Sequence, residues 1–280
     1  MPTIAEKRSA FRRLHERGCF VIPNPWDIGS ARYLQGLGFK ALATTSAGFA
    51  WSRGFHDNAV TREMALAHMA EIVSGTDVPV NADFEGGFAH DPAGVAESVR
   101  LAVETGVAGL SIEDSKRDKD NPLYDLDTAV ARIRAARAAI DKAGGDTLLV
   151  GRAECFLVGK PDIDETIARL KSYAGAGADC LYAPGISKPE HISAVVKAVA
   201  PKPVNLLIGT PMGLTVKDAE ALGVRRISIG GSLARSAWGG FMRVAKQIAE
   251  QGKFDGFADA APGAEINKFF YKDRQPQGKS

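Results

Sequence analysis

Short apolar runs punctuate the chain at regular intervals: CFVIPN (19–24), ALATTS (41–46), VPVNAD (78–83), GLSIED (109–114), LLVGRAE (148–154), CLYAPG (180–185), PVNLLIG (203–209) and RRISIGG (225–231). They show little strict alternation of apolar and polar residues. That is the pattern of strands buried on both faces, hence of parallel strands. Between them lie segments of helical periodicity, among them PWDIGSARYLQGLG, PAGVAESVRLAVETG, LDTAVARIRAARAAIDKAGG and IDETIARLKSYAGAGA. These close on or beside glycine, which takes positive φ readily after a last helical turn. Eight strand–helix units over about 230 residues predict a single (β/α)8 TIM barrel of class α/β rather than an open doubly wound sheet. No GxGxxG follows the first strand, which weakens a dinucleotide-binding alternative.

Two parts stand outside the repeat. A helix over 4–18 is placed to cover the bottom of the barrel. Residues 1–252 are therefore expected to form the catalytic barrel, and 253–280 a C-terminal helical extension. The extension carries Phe269, Phe270 and Tyr271, an aromatic cluster expected to serve a subunit contact.

Composition narrows the setting. The 280 residues are 45% hydrophobic and 24% charged, ordinary values for a globular protein with a sizeable core. Lys plus Arg is 35 against 33 Asp plus Glu, so nothing calls for a nucleic-acid or membrane partner. Cys19, Cys155 and Cys180 are scattered and form no CxxC, as expected of reduced thiols in a cytoplasmic protein. The N-terminal MPTIAEKRSAFRRLHERG lacks the apolar core of a secretory signal, and no apolar run approaches the ~20 residues of a membrane span.

In a TIM barrel the active site lies at the C-terminal ends of the strands, so the residues that end each strand carry the functional reading. The first ends in Asn24, Trp26 and Asp27, and the second in Thr44, Thr45, Ser46, Ala47 and Gly48. Asn81, Asp83 and Glu85 end the third, Glu113 and Asp114 the fourth, Arg152 and Glu154 the fifth. Asn205 lies on the seventh, and Gly230, Gly231 and Ser232 end the eighth. Oxygen-only ligands of this kind suit Mg²⁺, and no HxH or HExxH offers a zinc site. A lone carboxylate at a strand end is often only a helix N-cap, as Asp27 or Asp114 would be. The convergence of Asp83, Glu113 and Arg152 from three successive strands carries the functional reading.

At these residues the sequence resembles the isocitrate lyase/phosphoenolpyruvate mutase superfamily, from IPNPWDIGSARYLQGLGFKALATTSAG to SIGGSLARSAWGGF. The matching elements are Ser46-Ala47 after strand two, Asn81-Ala82-Asp83-Phe84-Glu85-Gly86 after strand three, Ile112-Glu113-Asp114 on strand four and Arg152 in GRAECF. The resemblance implies that Asp83 holds Mg²⁺ mostly through waters, with Asn81 and Glu85 in the same metal site and Glu113 nearby. It implies that Ser46 and the Ala47 amide bind a substrate carboxylate, with Trp26 and Asn205 completing the pocket, while Arg152 faces the 2-oxo oxygen. A homotetramer is the family's usual assembly.

The departures are informative. Family lyases acting on isocitrate or methylisocitrate carry a cysteine on the loop after strand four, whereas this loop reads Ser115-Lys116-Arg117-Asp118-Lys119-Asp120-Asn121-Pro122. Cys155 follows the strand-five arginine and is expected in the core. The carbon–phosphorus enzymes of the family carry a Lys-x-Asn on that loop, matched by Lys119-Asp120-Asn121, and a loop aspartate, matched by Asp57; their strand-six histidine has no match in LYAPG. The expected function is a Mg²⁺-dependent lyase cleaving a C–C bond of a small 2-oxo or 2-hydroxy acid through a pyruvate-type enolate. The alternatives are a phosphonopyruvate hydrolase or phosphoenolpyruvate mutase type of P–C enzyme, and a non-catalytic barrel that binds a dicarboxylate.

Overall fold

The computed structural model describes residues 2–116 and 118–273. Eight strands, β1 (Phe20–Ile22), β2 (Leu42–Ala43), β3 (Val80–Asp83), β4 (Gly109–Glu113), β5 (Leu148–Arg152), β6 (Cys180–Tyr182), β7 (Val204–Leu207) and β8 (Arg226–Ser228), fall inside the eight apolar runs. All adjacent pairs are parallel, in the order β1-β8-β7-β6-β5-β4-β3-β2. The seam between β1 and β2 is bridged by a backbone bond from Ala43 N–H to Pro23 O at 3.0 Å and by Asn24 Nδ2 donating to Thr44 O at 2.8 Å. The sheet is therefore a nearly closed (β/α)8 barrel, as the alternation predicts.

The first helix, α1 (Ile4–Leu14), begins at a Thr3/Glu6 capping box and closes the bottom of the barrel. Phe11 is wholly buried and packs with Ile22, Ala41, Ala43, Ala108 and Leu148. The fit is close: a Cβ on Gly109 would lie 2.8 Å from the Phe11 ring. Between the strands run α2 (Ile28–Gly36), α3 (Ser46–Ser52), α4 (Arg62–Gly75), α5 (Pro92–Glu104), α6 (Leu126–Lys142), α7 (Ile163–Gly175), α8 (Pro189–Val199) and α9 (Val216–Ala221). Their apolar faces and the outer faces of the strands form the main core.

The helix after β8 behaves differently. α10 (Ser232–Gln251) buries only Ala234 and leaves Leu233, Trp238, Phe241 and Met242 exposed. The last helix, α11 (Gly263–Asp273), lies on α2 of its own barrel: Phe269 packs 4.9 Å from Tyr33, and Arg32 pairs with Asp273 at 3.3 Å. Of the three terminal aromatics, Phe269 and Phe270 are half-buried and Tyr271 is exposed. No helix among the described residues is long and apolar enough to cross a membrane.

Candidate active site

Because side chains alternate along β3, Asn81 and Asp83 both point into the barrel. Asp83 is held on two sides. Its Oδ2 accepts the Ser46 backbone N–H at 3.1 Å and the Ser46 hydroxyl at 3.0 Å, and its Oδ1 accepts Arg152 Nη1 at 3.1 Å. Ser46 is placed there because Thr45 N-caps α3 through Gly48 N–H, turning the chain directly beneath the mouth.

Arg152 ends β5, with Glu113 on β4 and Tyr182 on β6 as its register neighbours. Its Nη1 also lies 3.4 Å from Glu113 Oε2, its Nε binds Glu154, and its guanidinium sits 5.2 Å from the Tyr182 ring centre. Buried Glu85 completes the cluster from the loop after β3. Burial opposes the charge on Arg152, but Glu154 and Glu113 outweigh it and hold the guanidinium well above its ordinary pKa. Burial pushes Glu113 up to about 8, against the pull of Arg152 and with the repulsion of Glu154, Asp83 and Glu85. Glu154 is raised in the same way, by burial first. Tyr182 is pushed up to about 12, mainly by burial, and stays a neutral phenol.

Three carboxylates, Asp83, Glu113 and Glu154, thus face one guanidinium, with Glu85 close enough to act on Glu113, an excess of carboxylates over the cation they share. That excess, carried on oxygen ligands alone, is a setting into which a divalent hard cation fits. Among the described residues no three His, Cys, Asp or Glu side chains converge on one point. The donor set therefore suits Mg²⁺, which binds through one or two carboxylates and keeps its waters, better than a fully protein-caged metal. Asp83, at the cavity wall, is the group that would hold it, with Glu113 nearby.

A cavity of about 180 Å³ opens beside this cluster. Ser46, Ala47, Asp57, Asp83, Arg152 and Asn205 line it, as the sequence leads one to expect. Asn81 also lines it, but its amide oxygen is turned to Arg226 at 3.4 Å and its Nδ2 to Ala82 O, away from the Asp83 carboxylate. Trp26 lies outside the lining and packs its Cβ near Gly48. Lys119 and Asn121 are exposed on the loop after β4, whose base is drawn together by the Ser115–Leu123 bridge and a Lys116 N–H to Pro122 O bond of 2.7 Å. Arg117 lies outside the described residues.

Of the two suspected caps, Asp27 does cap α2, accepting Ser30 N–H at 2.7 Å. Asp114 does not cap a helix. It is buried and accepts Glu154 N–H at 2.9 Å, Arg169 Nη1 at 3.0 Å and the Tyr173 hydroxyl at 2.5 Å. The loop carrying Glu85 is held from behind. Glu85 and Phe88 adopt positive φ (50° and 54°), and Arg132 of α6, fully buried, donates to the carbonyls of Gly86, Ala89 and His90. Cys155 is wholly buried, as expected.

Sequence reading missed Tyr182, Ser111, Ser228 and Arg226 in the cavity wall. The one available signal was an arginine inside the apolar run RRISIGG.

A parallel (β/α)8 barrel with a carboxylate–guanidinium cluster at the C-terminal ends of its strands has the layout of a TIM-barrel enzyme. The family profile described as phosphoenolpyruvate phosphomutase matches residues 11–249. The chain belongs to the phosphoenolpyruvate mutase/isocitrate lyase superfamily, whose members include carbon–carbon lyases and mutases. It is similar to a solved structure from Burkholderia cenocepacia J2315 described provisionally as a lyase/mutase, with 48% identity, TM-score 0.92, and coverage of 96% of this chain and 97% of that one. It also resembles the solved structure of a 2,3-dimethylmalate lyase, at 28% identity and TM-score 0.83, covering 96% and 95% of the two chains. Oxaloacetate decarboxylase of Paraburkholderia xenovorans is 29% identical, over 79% of this chain and 74% of that one.

Proposed function

We propose that the chain is a Mg²⁺-dependent lyase that breaks a C–C bond of a small 2-oxo or 2-hydroxy acid, by decarboxylation or retro-aldol cleavage, leaving a pyruvate-type enolate. The observation that carries this reading is Arg152, charged and buried at the cavity wall beside Asp83 and Glu113. Breaking the bond next to a 2-oxo group leaves its electron pair on the enolate oxygen, and a fixed cation there is worth far more than in water. Bound Mg²⁺ supplies a second electrophile for the same oxygen. The Ala47 amide binds the substrate carboxylate from the α3 side, joined by Ser46 once Asp83, which now holds both Ser46 donors, turns to the cation, and Arg152 orients the 2-oxo oxygen. Glu154 and Glu113 fix the guanidinium plane, so little reorganisation accompanies the charge shift.

Decarboxylation fits this site because the departing carboxyl group leaves as CO₂ without an acid from the enzyme, and the loop after β4 offers no cysteine among its residues 115–122. The oxaloacetate decarboxylase relative is consistent with it. The P–C alternative is weakened at β6, where Tyr182 and Ala183 stand in place of a histidine. A homo-oligomer is part of the proposal: α10 leaves an apolar face uncovered, which a second copy would cover. The scattered reduced thiols fit the cytoplasm.

Oxaloacetate, 2-oxo-4-hydroxy acids, 2-methylisocitrate and phosphonopyruvate, assayed in parallel with Mg²⁺, test the reading. Pyruvate released from one of the first two supports it. Turnover of phosphonopyruvate alone overturns it in favour of P–C chemistry.

A further inference from the structure

At the floor of the cavity lies a second buried arginine that the proposed chemistry does not use. Arg226 belongs to the same row of register partners as Arg152: Arg152 pairs with Tyr182, Tyr182 with Asn205, and Asn205 with Arg226. It is 3% exposed and lines the cavity. Its Nε donates to Asn205 Oδ1 at 2.8 Å and its Nη1 to Asn81 Oδ1 at 3.4 Å. Asn205 is itself fixed by donating to Ser228 Oγ at 2.9 Å.

Among the described residues, the side chains that hydrogen-bond this guanidinium are neutral. Asn81 and Asn205 carry no charge. His15, just past the C-terminal end of α1, is held down to about 3, by burial first and then by Arg226, so it stays an uncharged imidazole. Cys180 on β6 is raised by burial and remains a thiol. Among the described residues no carboxylate pairs with Arg226, and the carboxylates of the site are gathered on Arg152. A buried cation without a counter-charge is costly, and a cation that lines a cavity is relieved when an anion enters. Arginine has five N–H donors in a planar fork, of which protein acceptors are seen here for two.

We propose that Arg226, oriented by Asn205 and Asn81, is a specificity residue for a second anionic group on the substrate, a carboxylate or phosphonate carried on C3 of the 2-oxo acid. This rests on the 2-oxo acid reading of the cavity and adds that the substrate is a dianion rather than a pyruvate-like monoanion. One end of it, the carboxylate and the adjoining 2-oxo oxygen, is read by the Ser46–Ala47 turn and by Arg152 respectively, and the far end by Arg226.

The test is calorimetric binding to the Mg²⁺-loaded protein of three probes that share the 2-oxo carboxylate: 2-oxobutyrate, 3,3-difluorooxaloacetate and phosphonopyruvate. The wild type is expected to bind at least one dianion tenfold or more tighter than 2-oxobutyrate, and which one it is assigns the carboxylate or the phosphonate. Arg226→Met is expected to erase that preference while leaving the Kd of 2-oxobutyrate within about twofold, and Arg226→Lys to retain most of it. Should the methionine variant not fold, Arg226→Gln carries the same comparison. Equal binding of all three probes by the wild type, or an equal weakening of all three in the variant, overturns the assignment and leaves Arg226 a structural residue. If no probe binds the wild type, the 2-oxo acid reading itself has failed.

Discussion

Asp114 Oδ1 accepts the backbone N–H of Glu154 at 2.9 Å, so a carboxylate from the end of β4 fixes the glutamate that grips Arg152 from the end of β5. The same side chain answers Arg169 and Tyr173 from α7, tying the wall of the site to the outer layer of helices. Breaking one partner of such a buried pair leaves an uncompensated charge, which typically costs about 3–5 kcal/mol. Asp114→Ala is therefore expected to lower unfolding stability by about that amount, read by urea titration with an unchanged m-value. Asp114→Asn should recover part of it, since the amide oxygen still accepts one of these bonds. A loss below about 1 kcal/mol for the alanine variant would remove Asp114 as the anchor of the site, because that is the range of an ordinary exposed pair.

The charge excess at the mouth gives a pH prediction. Glu113, pushed up to about 8, binds a proton in the folded state that its unfolded counterpart, near the ordinary glutamate value of 4.5, has already lost. Where the native state binds more protons, stability falls as pH rises. The metal-free protein should thus lose Tm progressively between about pH 5 and pH 8, and Glu154 acts in the same direction. A cation offsets the same repulsion, so the Tm gain from Mg²⁺ should grow over that range. Asp83→Ala should abolish most of this gain and most of the activity. A gain from Mg²⁺ that is absent or independent of pH would argue against a metal at this cluster.

The alternation of apolar runs and helical segments carried the barrel, its strand positions and the helix over its bottom, because burial on both faces leaves a continuous apolar signature. Asp83, Ser46 and Arg152 were legible because each ends a strand, where the fold itself puts chemistry. The role of Asp114 was not: whether a strand-end carboxylate caps a helix or reaches a distant arginine depends on tertiary contacts that leave no local pattern. Arg226 was hidden for a related reason. A strand-borne arginine reads as edge or surface until the barrel closes around it, and only closure shows the neutral groups it faces. The outward face of α10 was also missed, since its amphipathic period resembles that of any helix packed on a barrel.

The loop after β4 holds Lys119 and Asn121 outside the cavity, with its base closed by the Ser115–Leu123 bridge. If these side chains serve the reaction, the loop must fold inward over bound substrate, which would also exclude water from the enolate. Limited proteolysis at 118–121 should then slow at saturating oxalate, and Lys119→Ala should raise KM or lower kcat without altering Tm. Equal cleavage rates with and without oxalate, together with a fully active Lys119→Ala, would reduce the segment to a solvated surface loop.

The sharpest prediction concerns Arg152, because two readings of its contacts diverge there. Its guanidinium is bound by Asp83, Glu113 and Glu154, so it serves either to hold these carboxylates together or to present a fixed positive charge to the reacting oxygen. Lysine keeps the charge but loses the planar fork that meets several oxygens at once. In the catalytic reading Arg152→Lys lowers kcat on the order of 10²–10³-fold with little change in KM, since one preorganised oxyanion donor is lost in the transition state. It also weakens oxalate, which resembles the enolate, more than it weakens pyruvate, because the interaction strengthens as charge develops. In the purely structural reading the variant loses Tm while its folded fraction keeps a normal kcat and an unchanged ratio of oxalate to pyruvate binding. Measuring both the ratio and kcat on the folded fraction separates the two readings even if stability also falls, because loss of folded protein scales every rate equally and leaves that ratio untouched.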